Sequence, residues 1–349
     1  MSTKKYKIVK SESIVYKGRT LYRIKALKTF CVACTAISIV VKKGELGGFI
    51  ETENNLSQEG YCWIFNNAKV YDDARVSEDA KICGGTEIFD SAEVFGNAEI
   101  SGNTQIFYGA HVCGNAKVYG YAKVCGKARV YGEAKVYNFA KILDNAQVYD
   151  NAKIYENAIV AGDVQIYHNA QVYGNAWIYD DAFICDNARI YGLAKIFNKA
   201  IVYGNAKVYG NAEVYENAAI FDYAFIFGDA KVFSNAKIFG TTWLYCAAKI
   251  GDKLSLNKGK YIFATLNIDE TLSEIEPICY KISFAVRVIE LKLPIEQGYI
   301  ESLVSELAKY DELIDYFHSN ECEIIFTPNE NKIYKLLLQS KQNIENFYK

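Results

Sequence analysis

Asn115-Ala116-Lys117-Val118-Tyr119-Gly120 is one unit of a pattern that recurs every six residues, thirty-two times from Tyr61 to Asp252, without an insertion or deletion. Each unit reads small, variable, aliphatic, aromatic, then two turn formers. Every sixth residue from Ile64 to Ile250 is Val or Ile, with Leu only at Leu244. Two residues before each stands Ala, except at Cys62, Thr86, Thr104, Val164 and Thr242. Side chains of a strand alternate between its two faces, so Ala116 and Val118 point inward together while Lys117 and Tyr119 point outward. Gly120 and the residue after it bend the chain, because Gly and Asn tolerate positive φ at little steric cost. A strand this short cannot bury an apolar face alone, and stacked coils supply the missing neighbours. The predicted fold is mainly β, a parallel β-helix.

The small-x-[Ile/Val]-x-turn-turn unit resembles the left-handed β-helix of the hexapeptide-repeat acyltransferase superfamily. That resemblance implies left-handed winding and three hexads per triangular coil, so the repeat would make about ten and a half coils, a prism roughly 50 Å long at one strand spacing per coil. Gly44-Glu45-Leu46-Gly47-Gly48-Phe49-Ile50-Glu51, followed by Asn55 to Ile64, resembles the lead-in segment of bacterial and phage-encoded hexapeptide-repeat proteins that are labelled transferases or carry no assigned function. With the repeat, the resemblance covers about residues 1–252.

Composition shifts at both ends of the repeat divide the 349 residues into three segments: 1–60, 61–252 and 253–349. In the first, Ser13–Tyr16 and Thr20–Ile24 read as a hairpin joined by Lys17-Gly18-Arg19, and 37–41 as a further strand, together a β cap over the first coil. The Gly47-Gly48 pair reads as a tight turn; no helix and lysine follow at the spacing a phosphate loop needs. In the last segment, 261–266, 282–293 and 323–327 read as strands. Ile300, Leu303, Val304, Leu307, Ile314 and Phe317 follow helical spacing, with His318 at the helix end, and 331–348 reads as a second helix. An α+β cap or partner-binding domain is expected there.

Lys plus Arg total 39 against 41 Asp plus Glu, a net charge of -2, so global charge selects neither nucleic acid nor membrane as a partner. The N-terminus lacks the apolar core of a signal peptide, and no apolar run reaches membrane-spanning length. Of the ten cysteines, Cys83, Cys113, Cys125 and Cys185 fill the outward aromatic slot. Cys113 and Cys185 share a face but stand four coils, about 19 Å, apart, beyond disulfide reach. Free thiols in a reducing cytoplasm are expected. Cys31-Val32-Ala33-Cys34 is half a zinc site at best, and neither a metal nor another cofactor is expected.

Hexapeptide acyltransferases place a catalytic histidine near a coil edge or inserted loop, and related γ-class carbonic anhydrases hold zinc with three histidines across a subunit interface. This repeat has only His111, in a variable slot, and His168, at a corner, and no inserted loop. Both read as exposed residues in permissive slots, away from carboxylate clusters, and catalysis is not expected. The outward slots of one face carry a different signal. Its aromatic positions are Tyr119, Tyr137, Tyr155, Tyr173, Tyr191 and Tyr209, and two residues before each lie Lys117, Lys135, Lys153, Gln171, Arg189 and Lys207. Stacked tyrosines beside a cationic ladder can hold a polyanion or a protein partner. The plainer alternative is a ladder that stabilises the sheet, its lysines guarding against aggregation, while acidic corners such as Glu133, Asp150 and Glu156 dilute the field. The leading expectation is a non-catalytic scaffold that binds a macromolecule or copies of itself. The rival is an acyltransferase-like enzyme with its active site between subunits of a homo-oligomer.

Overall fold

The computed structural model describes residues 4–32, 39–246, 248–251, 253–258 and 260–263. The chain divides into two compact units, 1–192 and 193–349. The described residues of both form parallel stacked coils, about 11 turns in all, and are nearly all β.

In the first unit each aliphatic slot ends a two-residue strand, and each strand pairs in parallel with the one eighteen residues away. Lys117 and Val118 stand beside Lys135 and Val136, and those beside Lys153 and Ile154. Three hexads therefore close one coil, and three sheets line its sides. Lys117 N–H donates to the Ala134 carbonyl at 2.9 Å and Tyr119 N–H to Val136 at 3.0 Å, a pattern repeated from coil to coil. The core is two columns per face: Ala at the small slot and Val or Ile at the aliphatic slot, all fully buried. Thr86 and Thr104 replace Ala in the small column, and each buried hydroxyl donates to the carbonyl three residues back, at 2.7 and 2.6 Å. That bond removes the cost of a buried polar group.

Strands β1 (Tyr6–Tyr16) and β2 (Arg19–Ala26) form the predicted hairpin, with Lys17 and Gly18 at φ 48 and 78 making its turn. Strand β3 (Phe30–Val32) pairs antiparallel with β4 (Ile39–Val41). Strand β5 (Leu46–Ile50) lies antiparallel to β2 and parallel to Lys69–Val70, joining this cap to the first coil. Here the structure corrects the reading of Gly47-Gly48 as a turn, because both lie inside β5. A Cβ on Gly47 would meet the Ile64 carbonyl at 2.6 Å, and one on Gly48 the Ala68 carbonyl at 2.6 Å, so backbone-to-backbone approach explains the pair. Trp63 occupies an outward variable slot yet is fully buried, covered edge-on by Tyr6 and Phe30. The buried Lys5 ammonium lies over the first coil, 3.1 Å from the Glu59 and Cys62 carbonyls and 3.2 Å from Cys62 Sγ.

The second unit repeats the plan. Lys207–Val208 pairs with Phe225–Ile226 and that with Trp243–Cys246, while Lys195–Ile196, Glu213–Val214, Lys231–Val232 and Lys249–Ile250 form another face. Parallel stacking runs past Asp252. Ser255–Leu256 pairs with Lys237–Ile238 in the eighteen-residue register, and Lys260–Phe263 pairs with Trp243–Cys246 one residue short of it. Leu256 is buried in the aliphatic column, although its hexad lacks the small residue that marks the others. The rest of the expected α+β segment, with His318, lies outside the described residues, as does Cys34.

Candidate functional site: the tyrosine and lysine face

Coil closure at eighteen residues brings Lys117, Lys135, Lys153, Gln171 and Arg189 into one row and Tyr119, Tyr137, Tyr155, Tyr173 and Tyr191 into the row beside it. The phenol rings stack on one another at 4.9, 4.9, 4.7 and 4.9 Å between centroids, with planes within 6° of parallel. Lys207 and Tyr209 belong to the second unit. There Lys207 Nζ lies 4.8 Å from the Phe225 ring centre, and Tyr209 stacks on Phe227 at 5.0 Å.

Stacking alone does not single out this face. Tyr131, Tyr149 and Tyr167 stack equally well on another, and Tyr71, Phe89 and Phe107 on the third. The faces differ in how stacked hydroxyls and cations are combined, and Lys123 and Lys141 on the Tyr71 face also lack a carboxylate at ion-pairing distance among the described residues. On the Tyr131 face the hydroxyls of Tyr131 and Tyr149 donate to Gln147 and Gln165 at 3.5 and 3.4 Å. Among the described residues, the hydroxyls of Tyr119, Tyr137, Tyr155 and Tyr173 have no hydrogen-bond partner, and Lys135, Lys153 and Arg189 have no carboxylate at ion-pairing distance. Lys117 does pair, with Glu99 at 3.2 Å. In the second unit Lys195 and Lys231 share one carboxylate partner, Glu213, at 3.4 and 2.7 Å.

Burial raises the phenol pKa along the row. Tyr155 is pushed up to about 12, first by burial and then by Tyr173, Tyr137 and Glu156, so it stays a neutral hydroxyl at ordinary pH. For Tyr173 burial again acts first, with Arg189 pulling the other way. The acidic corners are engaged by backbone and amide donors: Glu156 accepts the Gly174 N–H at 2.8 Å, and Glu133 accepts from Asn115 at 2.8 Å. Their charge persists at the edge of the face, while each carboxylate serves the coil corner.

The sequence expectation sets both histidines away from carboxylate clusters, and the two differ: one carboxylate stands near His111 and two flank His168. His111 Nε2 lies 3.9 Å from Glu93, one coil below in the same variable column. His168 sits at a left-handed corner with φ 53, between Asp150 and Asp186, its counterparts eighteen residues to either side. Its Nδ1 is 2.9 Å from Asp186 Oδ1, its Nε2 is 3.9 Å from Asp150 Oδ2, and its N–H donates to Asp150 at 3.2 Å. An open cleft bordered by Gly132, Glu133, Asp150, Asn151, His168 and Asn169 runs along this corner. The column was legible at an offset of eighteen, which the six-residue period hides. No group of three His, Cys, Asp or Glu suited to a metal occurs among the described residues.

A second polar cluster escaped the sequence reading because its members come from distant segments. Tyr16, Lys17 and Tyr71 all hydrogen-bond to Glu87, at 2.6, 2.8 and 3.1 Å, and Arg19 pairs with Asp72 and Glu51. Burial pulls the Glu87 pKa up, but bonds from Lys17 and Tyr16 outweigh it and hold the carboxyl below its usual range. The cluster fastens the hairpin to the coil wall, and its groups are consumed by one another.

Cys31, Cys62, Cys83, Cys113, Cys125 and Cys185 are free thiols. Among the described residues no helix is long and apolar enough to cross a membrane. In comparisons with protein-family models and with curated proteins, the sequence matches no family model and no curated protein.

Proposed function

We propose that this chain is a non-catalytic β-solenoid scaffold whose tyrosine and lysine face binds a linear polyanion. The observation that carries the reading is the run of cations, Lys135, Lys153 and Arg189, that have no carboxylate partner among the described residues, beside phenol hydroxyls that bond to none of those residues. Lys123 and Lys141 on another face also stand in register without an ion pair among the described residues, but beside Cys125 and Leu143 rather than stacked phenols, so the combination of free cations and stacked tyrosines belongs to this face. Unpaired cations in register at one coil spacing are the arrangement that a charged polymer rewards, through release of its counterions. The test is retention on heparin or single-stranded nucleic acid at low salt, followed by the combined variant Lys117→Gln, Lys135→Gln and Lys153→Gln. Retention should be salt-sensitive in the native protein, and the variant should lower the slope of log affinity against log salt by roughly 0.7–0.9 for each charge removed. A native protein that ignores both ligands at low salt makes the ladder structural only.

One observation favours a second reading. Asp186 fixes Nδ1 of His168 at 2.9 Å, the way a carboxylate orients a histidine general base, and the stacked parallel coils are compatible with the hexapeptide-repeat transferases that the sequence resembles. Fold kinship does not transfer chemistry, and Nε2 faces the carboxylate of Asp150. Assay with acyl-coenzyme A donors should show no turnover. Turnover that His168→Ala abolishes without changing the melting temperature would install the enzyme reading.

A further inference from the structure

We infer, resting on the polyanion reading above, that the ligand of this face is an extended polyuronate, a chain of carboxylated sugars laid along the solenoid with about one sugar per coil. The first argument is which surfaces of the phenols remain available. Tyr137, Tyr155 and Tyr173 each have a ring stacked on both sides, with planes within 6° of parallel. Opening that stack would require pulling coils apart against backbone bonds such as Lys135 N–H to Ala152 at 2.9 Å and Tyr137 N–H to Ile154 at 3.0 Å. Nucleobases bind single-strand platforms by stacking on exposed ring faces, and these rings have none to offer. Their outward edges carry hydroxyls.

The second argument is spacing. A hydroxyl and, two residues earlier in the chain, a cation or amide recur at ring-to-ring steps of 4.7–4.9 Å. An extended β-1,4-linked pyranoside backbone advances by close to one coil per sugar and turns successive sugars over, so the carboxylates on one side recur every second coil and can meet Lys153 and Arg189 while the chain's hydroxyls bond to the phenols. A stretched nucleotide backbone advances further per residue and falls out of register. Polyphosphate carries the charge but has no hydroxyls of its own. Charge-assisted bonds to ammonium and guanidinium groups then supply affinity, and the phenol row supplies selection for a sugar.

The experiment measures binding of defined-length oligouronates and of oligo-dT to the full chain at low salt. Oligouronate affinity should rise with each added sugar and level off once the ligand spans the five stacked tyrosines, Tyr119 to Tyr191. The combined variant Tyr137→Phe, Tyr155→Phe and Tyr173→Phe keeps the stack and removes the hydroxyls. Phenylalanine already fills this slot at Phe89 and Phe107, so the fold should tolerate it, and a thermal melt checks this. The variant should lose about tenfold in oligouronate affinity, the worth of one to two net hydrogen bonds, and leave oligo-dT binding unchanged. Oligo-dT that binds as tightly as oligouronate, or oligouronate binding that the variant leaves intact, would overturn this inference while the polyanion reading stands. Failure of every polyanion to bind, heparin included, would remove both.

Discussion

Asp150, Glu156 and His168 hold φ values of 53, 57 and 53, a left-handed backbone that costs most side chains roughly 1–2 kcal/mol. The same position of every hexad from Asn66 to Gly240 has positive φ, and acidic residues share it with glycine. A local bond offsets the cost: Asp144 accepts the Gly162 N–H at 3.1 Å, Asp150 that of His168 at 3.2 Å and Asp222 that of Gly240 at 3.1 Å, each one coil on. Asp150→Ala should therefore lower stability by about 1–2 kcal/mol in urea melts, keeping the strained φ without the acceptor. Asp150→Gly should cost clearly less, since glycine accepts the φ freely. Equal losses would mean that the bond, not the backbone, dominates. In the core, Ala152→Leu should overpack a fully buried column and cost about 1–3 kcal/mol or more. The outward change Lys153→Gln should stay within about 0.5 kcal/mol. At this scale the sequence was transparent: inside and outside follow from alternation, and the buried column matches the predicted small and aliphatic slots. The αL corner was half legible. Glycine announced it, while aspartate, glutamate and histidine needed the neighbouring coil to explain them.

Stacked tyrosines make the strand ladders sensitive to alkali. Tyr155 and Tyr167 are both pushed up to about 12, Tyr155 chiefly by burial and Tyr167 chiefly by its hydrogen bond with Cys185. An unfolded chain ionises its tyrosines near pH 10. The folded state therefore binds more protons than the unfolded state between about 10 and 12, and stability must fall as pH rises through that window. We expect an unchanged melting temperature up to about pH 9 as far as these groups are concerned, then a decline, with tyrosinate absorbance rising late and broadly because each phenolate disfavours its stacked neighbours. Tyrosinate absorbance that rises sharply near pH 10 with no loss of stability would show that the rings are solvated and the stack is loose. Which rows stack was predictable from the tyrosine register. Which rows keep unsatisfied hydroxyls and unpaired cations was not. Gln147 and Gln165 claim the hydroxyls of one face, whereas Lys135 and Lys153 meet no carboxylate among the described residues, and such pairings depend on neighbours about one coil away.

At the scale of the whole molecule the open ends decide behaviour. At the N-terminal end β5 extends the first coil into the antiparallel β2, and Lys5, Trp63 and Tyr6 fill the space over it. At the other end the last described rungs, Lys249–Ile250, Ser255–Leu256 and Lys260–Phe263, form a parallel edge, and such an edge is a template for another chain unless it is covered. We expect residues 264–349 to protect it. Truncation after Phe263 should leave the β-type circular dichroism intact and produce concentration-dependent oligomers in sedimentation velocity. A truncated protein that stays monomeric and equally soluble would reassign that segment to partner binding. By itself the sequence determined the strands, their inner and outer sides, the absence of breaks in the repeat and the hairpin at Lys17-Gly18, because each is written in contacts within a few residues. Only the tertiary structure decided that Gly47 and Gly48 lie in a strand against neighbouring backbone, that Trp63 is covered, and that parallel stacking outlasts the clean repeat. It alone placed His168 between two aspartates and left Lys135 and Lys153 without a carboxylate partner among the described residues. The physical reason is the same in each case: these outcomes depend on which side chains and backbone atoms come within a few ångströms once the coils close and the cap folds over them, and a repeat that names the neighbour at eighteen does not say whether the two groups will pair.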